Sequence, residues 1–200
     1  MGSLENSLLN IDRPEPLQKR PADAEKVFSG VMFDVYQWSQ KLFDGSEATF
    51  EVLKRPDTVN VIAVTPEKKL IVITENQPGR ERFTTIPGGR VDRGEHPHAA
   101  AKRELLEETG MISDDWQLLS AQQVTSKIDW AVFNFIARGC RYVEEQQLDA
   151  GERMEVREVS FDEFTREVTT DNFPLREIMI LFQRALLEEE LMQKLRLNIL

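Results

Sequence analysis

Between Pro97 and Gly110 the chain sets Glu104, Glu107 and Glu108 in a run of helix-forming residues, and nothing else in the sequence constrains the fold as much. Pro97 suits a first helical turn, Ala99 to Leu106 are strong helix formers, and Gly110 suits the position just past the end. At about 100° per residue, Glu107 lies roughly 300° and Glu108 roughly 400° beyond Glu104, so the three carboxylates share an arc of about 100°. Like charges three and four residues apart cost an isolated helix a few tenths of a kcal/mol per pair. A hard divalent cation offsets that repulsion, and Mg²⁺ typically binds through one or two carboxylates plus the phosphates of a substrate. Arg103, one turn before Glu107, can pair with a carboxylate, while Ala101 and Leu105 offer an apolar strip for a sheet. Just upstream, Pro87-Gly88-Gly89 lets the backbone approach a metal or phosphate closely, and a carbonyl there can act as a ligand. The competing reading is an ordinary solvated acidic helix, which fits most Glu-rich runs.

Around this helix the pattern is mixed. Residues 1–25 lack a sustained apolar period and read as a tail that is loose or lies along the surface. Residues 26–56 read as a β-hairpin extension: Val27, Val31, Phe33, Val35 and Trp38, a turn at Asp44-Gly45-Ser46, then Phe50, Val52 and Leu53, broken at Arg55-Pro56-Asp57. Residues 57–200 form the main domain, with strands expected at Val59–Val64, Leu70–Thr74, Phe83–Ile86, Trp116–Val124, Ala131–Ala137 and Met154–Val159. Asp129-Trp130 is expected at the turn between two of them, and Glu144–Gly151 is an acidic loop. Ser160 with Glu163 predicts a capping box for a short helix, and Pro174 to about Lys194 predicts one longer helix. Strands and helices are interspersed without regular alternation, which points to an α/β (α+β) architecture with a mixed sheet between helices.

Composition narrows the chemistry. Thirty-five acidic against 25 basic residues leave a net charge of −10, which repels a phosphate backbone and argues against nucleic-acid binding. No window approaches the roughly 20 apolar residues of a membrane span. Cys140 is the only cysteine, which excludes an intrachain disulfide and fits a reducing, cytoplasmic location. Met1-Gly2-Ser3 begins like a myristoylation signal, but Asn6 stands where a hydroxyl is needed, and no signal-peptide pattern follows.

Taken jointly, Gly89, Glu95, Arg103, Glu104, Glu107, Glu108 and Gly110, with apolar Leu105 and Met111, form a spacing expected by chance roughly once in 10⁸ to 10⁹ windows. Residues 89–111 resemble the Nudix box, Gly-x5-Glu-x7-Arg-Glu-U-x-Glu-Glu-x-Gly-U with U apolar, at every defined position. A looser likeness over about 26–188 points to the ADP-ribose and nucleotide-sugar pyrophosphatase branch, through the N-terminal β-extension (Lys26 to Leu53), the Pro-small-Gly lead-in, and an acidic loop followed by a strand and a helix (Gln147 to Glu163). The resemblance implies an α/β/α sandwich, Mg²⁺ or Mn²⁺ dependence, and hydrolysis of a nucleoside diphosphate linked to another moiety, with dinucleotides, nucleoside triphosphates or a non-catalytic nucleotide sensor as alternatives. It implies Glu104, Glu108, the Gly88 carbonyl and Glu152 as metal ligands. Glu107, Arg103 and Glu95 of the box are then assigned to catalysis, with Asp149 as general base where the branch has a Glu at the position of Ala150. Arg80 and Arg82 are the nearest guanidinium groups for a diphosphate, although the branch places an Arg sooner after the strand that ends near Glu75. Trp38 in the extension is a candidate for stacking on a base, and the branch resemblance implies a homodimer.

Other residues carry less. His96 and His98 lack a third Cys or His ligand nearby, so a capped helix start is the better reading than zinc. Cys140 has no histidine close in sequence to activate it. The apolar residues Leu195, Leu197, Ile199 and Leu200 are candidates for a subunit contact.

Overall fold

The computed structural model describes residues 8, 10–148, 150–151 and 153–200. The expected hairpin is present: β2 (Asp34–Lys41) and β3 (Glu47–Lys54) pair antiparallel from Asp34↔Lys54 to Lys41↔Glu47. Its turn is closed by Asp44, whose carboxylate accepts from the Ser46 amide at 2.9 Å and the Ser46 hydroxyl at 2.6 Å. The residues before it add a strand. β1 (Glu25–Ser29) pairs with β2 because the chain reverses at Gly30, whose amide donates to the Phe33 carbonyl at 2.8 Å. The extension is therefore a three-stranded antiparallel meander.

Pro56 interrupts the ladder where the sequence predicts a break, yet the chain resumes along the same edge. Both β3 and β4 (Thr58–Ala63) pair parallel with β10 (Ile128–Arg138), at Leu53↔Ile128 and from Thr58↔Val132 to Ala63↔Ala137. The other edge of β10 takes β9 (Asp115–Thr125), and β4 takes the short β7 (Gly88–Arg90), both antiparallel. A second sheet places β5 (Leu70–Asn76) between β6 (Phe83–Thr85) and β12 (Arg153–Val159). The turn between β9 and β10 falls at Ser126-Lys127 rather than at Asp129-Trp130. Those two residues are instead taken into β10, in the stretch where its register against β9 shifts.

The period-two pattern of β4 divides the core into two layers. Val59, Val61 and Ala63 pack with Phe133, Phe135 and the helix α1 (Pro97–Thr109) through Ala100, Ala101 and Leu105. Ile62, Val64 and Ile136 turn the other way, toward α2 (Phe161–Val168), α3 (Arg176–Leu187) and α4 (Glu189–Ile199). The result is a mixed sheet between helices. Burial of Phe133, Phe135, Phe164, Phe173 and Phe182 in these layers contributes about 2–3 kcal/mol per side chain.

Ser160 caps α2 with the expected reciprocal box: its hydroxyl accepts from the Glu163 amide at 3.2 Å, and Glu163 accepts from the Ser160 amide at 2.8 Å. The single long C-terminal helix is not formed. Glu188 adopts an extended conformation (φ −127°, ψ 95°) and splits it into α3 and α4. That break lets Leu195 and Ile199 bury in the chain's own core instead of waiting for a subunit contact, while Leu197 stays exposed.

Candidate active site

The carboxylate helix is fixed at both ends. His96 caps its start, accepting the His98 amide at its own Nδ1 (3.3 Å). Gly110 ends it in the left-handed region (φ 69°), where a Cβ would lie 1.9 Å from the Glu144 carbonyl oxygen. Space for that oxygen exists only because the residue is glycine. The same last turn anchors the root of the acidic loop: the Val143 amide donates to the Gly110 carbonyl and the Gln147 amide to the Glu107 carbonyl, both at 2.8 Å. Gln146 adds a side-chain bond to the Glu108 carbonyl.

Arg103 organises the charges. Its Nε and Nη2 grip Glu95 bidentately at 3.1 Å each, Nη2 also donates to the Arg90 carbonyl at 2.8 Å, and Nη1 is shared between Glu104 and Glu107 at 2.9 Å each. A planar guanidinium suits this, because it presents several donors in a fixed fork. The bond to Arg103 holds Glu95 below the usual carboxylate range, and the bond to Glu95 raises Arg103 above an already high value. The stripe predicted from spacing is thus real but graded: Glu108 is buried at 8% exposure, the Glu104 side chain stands at 12%, and that of Glu107 is open at 39%.

Both glycines of β7 are closely approached by neighbouring oxygens. A Cβ on Gly89 would lie 2.3 Å from Glu104 Oε1, and one on Gly88 would lie 2.3 Å from the Val59 carbonyl oxygen. Pro87 and Val91 bond across to Val61 and Asp57, so antiparallel alternation turns the Gly88 amide and carbonyl away from β4. The Gly88 amide donates to Glu108 at 2.8 Å. Glu104 and Glu108 therefore lie against the glycine strand, and the donors gathered there are all hard oxygens. Among the described residues, no group of three Asp, Glu, His or Cys side chains converges as a closed metal cage. An ion that needs only one or two protein carboxylates fits this arrangement.

The remaining predicted residues lie elsewhere. Asp149 and Glu152 fall outside the described residues. Arg80 stacks on Phe83 (3.5 Å to the ring centroid), and Arg82 pairs with Glu155, so neither is bonded to the carboxylates of α1. Trp38 is 8% exposed, edge-on to Phe50 and donating to Gln40 at 3.1 Å, which leaves little ring surface for stacking on a base. Cys140 is buried, and its thiol is pushed up to about 11, as befits an inert core residue.

Sequence reasoning missed a buried polar group on the far face of β4. Asn60 donates to Asn134 Oδ1 at 2.8 Å and to Glu177 Oε1 at 3.1 Å, and burial raises Glu177 above the ordinary carboxylate value. An Asn at an inward position of an otherwise Val- and Ile-rich strand was the available signal. It also missed Arg55, whose guanidinium lies 4.3 Å from the Trp130 ring centroid.

The carboxylate helix is thus braced against a glycine strand within an α/β/α sandwich. Residues 54–182 match the NUDIX domain, and the chain belongs to the Nudix family. It is 33% identical over 150 residues to the ADP-ribose pyrophosphatase of Bacillus subtilis (strain 168), covering 74% of this chain and 81% of the relative. It is 27% identical over 180 residues to the methanol dehydrogenase activator of Bacillus methanolicus, covering 88% and 97%. In fold it matches the crystal structure of an ADP compounds hydrolase with a TM-score of 0.67 at 19% identity, over 90% of this chain and 97% of that one. The chain is accordingly a Nudix pyrophosphohydrolase, from a family that generally uses divalent cations. No helix among the described residues is long and apolar enough to cross a membrane.

Proposed function

We propose that this enzyme uses Mg²⁺, or Mn²⁺ in its place, to cleave the diphosphate of ADP-ribose or a nucleoside diphosphate sugar, giving a nucleoside monophosphate and a sugar phosphate. The observation that carries the reading is the shared guanidinium of Arg103, which fixes Glu104 and Glu107 at 2.9 Å beside the glycine strand. Glu104, Glu108, the Gly88 carbonyl and Glu152 would hold the cation. When bound, it would polarise phosphoryl oxygens and neutralise charge on the leaving phosphate. Glu107, half open to solvent and steadied by Arg103, can orient a water. Asp149 is assigned the proton of that water, and Arg80 and Arg82 the diphosphate. Glu95 keeps Arg103 in place. The ADP-ribose pyrophosphatase relative supports the substrate class.

A homodimer through the extension belongs to the same reading, because Val27, Phe28, Val31 and Phe43 are exposed there. A contact with a second copy would cover them, and a cytoplasmic location suits the lone buried thiol. The deciding experiment is product identification across ADP-ribose, nucleotide sugars, NADH and nucleoside triphosphates. Release of AMP and ribose phosphate, abolished by a chelator and restored by Mg²⁺ or Mn²⁺, is expected; full turnover in chelator would overturn the mechanism.

A further inference from the structure

A polar row crosses the main sheet in register: Ser120 of β9 stands opposite Asn134 of β10, Asn134 beside Asn60 of β4, and Asn60 opposite Gly88 of β7. It is bonded along its length. Asn134 Nδ2 donates to Ser120 Oγ at 3.0 Å, and Asn60 Nδ2 donates to Asn134 Oδ1 at 2.8 Å. Glu177 of α3 closes the row from the helical layer, its Oε1 accepting from the same Asn60 Nδ2 at 3.1 Å. The residues next along β4 on this face, Ile62 and Val64, are apolar core.

The row ends on the glycine strand. Because Val61 and Val91 carry the flanking bonds to Pro87 and Asp57, Asn60 and Gly88 form a pair without hydrogen bonds between them, the closer of the two antiparallel kinds. A Cβ on Gly88 would lie 3.0 Å from Asn60 Oδ1, so the amide occupies the place of the missing side chain. With Nδ2 committed to two acceptors, that amide has one orientation, and it sets Oδ1 against Gly88. On its outward edge the same glycine donates its amide to Glu108 at 2.8 Å.

Stability alone gives no reason for this arrangement. Asn60 and Asn134 are buried, and among the described residues Glu177 pairs with no cation. Burial disfavours the charged form of Glu177, and apolar side chains of similar volume would satisfy the core without that penalty. The first turn of α3 suits a carboxylate electrostatically, yet nothing about a helix start requires its oxygen to reach Asn60. What the row does accomplish is to give one glycine a fixed backing.

We infer that Glu177 and Asn60 are positioning residues for the glycine strand of the active site: Glu177 pins the Asn60 amide, and that amide backs Gly88 so that its carbonyl and its bond to Glu108 are held in one place. The inference rests on the cation reading proposed above for the consequence of that placement, and adds two side chains that lie on the opposite face of the sheet from α1. Their effect on a cation travels through the backbone of Gly88.

Glu177→Met, Glu177→Gln and Asn60→Ala in the full chain supply the test. Amide hydrogen exchange, followed by NMR in the presence of a chelator, needs no metal: exchange at Gly88 should quicken about tenfold in Glu177→Met and Asn60→Ala, with the amides of β5 in the second sheet unchanged. In the same two variants Mn²⁺ affinity of the substrate-free chain, read by electron paramagnetic resonance, should weaken about tenfold, as should the Mg²⁺ requirement for half-maximal turnover. KM for ADP-ribose at saturating Mg²⁺ should stay within about twofold. Glu177→Gln keeps an acceptor for Asn60 and should remain near native throughout. A merely structural role gives a different pattern, a lower melting temperature with faster exchange across the whole sheet and an unchanged metal dependence, and that pattern would overturn the inference. So would Glu177→Gln behaving no better than Glu177→Met, or native Gly88 exchange in Asn60→Ala. Selectively faster exchange at Gly88 in an enzyme that turns over fully in chelator would reject the cation reading and keep both residues as supports of the glycine strand.

Discussion

The carboxylate helix and the N-terminal meander solve opposite problems. On α1, like charges are crowded together and every one of the box residues has a partner: Arg103 is divided among Glu95, Glu104 and Glu107, and Glu108 takes the Gly88 amide. In the meander, apolar side chains are left open, with Val31 and Phe43 fully exposed and β1 solvent-facing along its whole length. The first region is finished within one chain. The second joins the main sheet through β3 and buries Trp38 and Val52, yet leaves much of its apolar surface open. The contrast is between side chains that are all engaged and side chains left open.

The largest effect that would break this contrast concerns Glu108. Glu108→Gln keeps the shape and the Gly88 hydrogen bond but removes the charge proposed to hold the cation, so kcat for ADP-ribose should fall at least about 100-fold with an unchanged melting curve. A near-normal rate would make the buried carboxylate a packing device. Next comes Gly89→Ala, which drives a methyl into Glu104. Because the obstructing atoms are the end of a side chain, the fold should survive while the rate drops about tenfold or more; an unaffected rate would show that Glu104 has slack.

The meander is tested by size. Sedimentation of the native chain should give a species near twice 23.1 kDa, and Val31→Ser with Phe43→Ser should return it to one chain. A native monomer would mean those side chains cover nothing. The smallest effect is on pH. Burial, with Lys102 and His96 nearby, lowers His98 to about 4, whereas in the unfolded chain it titrates near 6.5. Between those values the unfolded state binds more protons, so stability rises with pH across this window and is lost as pH falls through it. The melting temperature should drop by several degrees from pH 6.5 to 4, and His98→Phe, which keeps a ring against Trp116 and Phe135, should flatten that slope. An unchanged slope would place the acid sensitivity in Glu95, which is depressed by Arg103 and whose contribution vanishes only at lower pH.

The helix, its glycine strand and the role of Arg103 were legible in the sequence because each position answers a steric or electrostatic demand that few residue types meet. Backbone oxygens leave no room for a Cβ at 88 and 110, a Cβ at 89 would press on the Glu104 carboxylate, and a fork-shaped cation fits among three carboxylates. Elsewhere the sequence admits several answers. Trp130 read as a turn residue because Asp129 precedes it, but tertiary pairing drew both into β10, where the indole donates to Thr58 at 3.0 Å. The last helix kept its period through Glu188, so nothing local announced the break; burial of Leu195 and Ile199 decided it.

The contact between Gly110 and the Glu144 carbonyl has a consequence for how such an enzyme can be re-engineered. The acidic loop is moored at Gln147 to the end of α1 and at Arg153 to Asn76 on β5. Its two ends are thereby held by separate pieces of rigid framework. The short stretch between them carries Asp149 and Glu152, so changing its length while both posts stay in place is a direct way to separate the roles proposed for those two side chains from the framework that carries them.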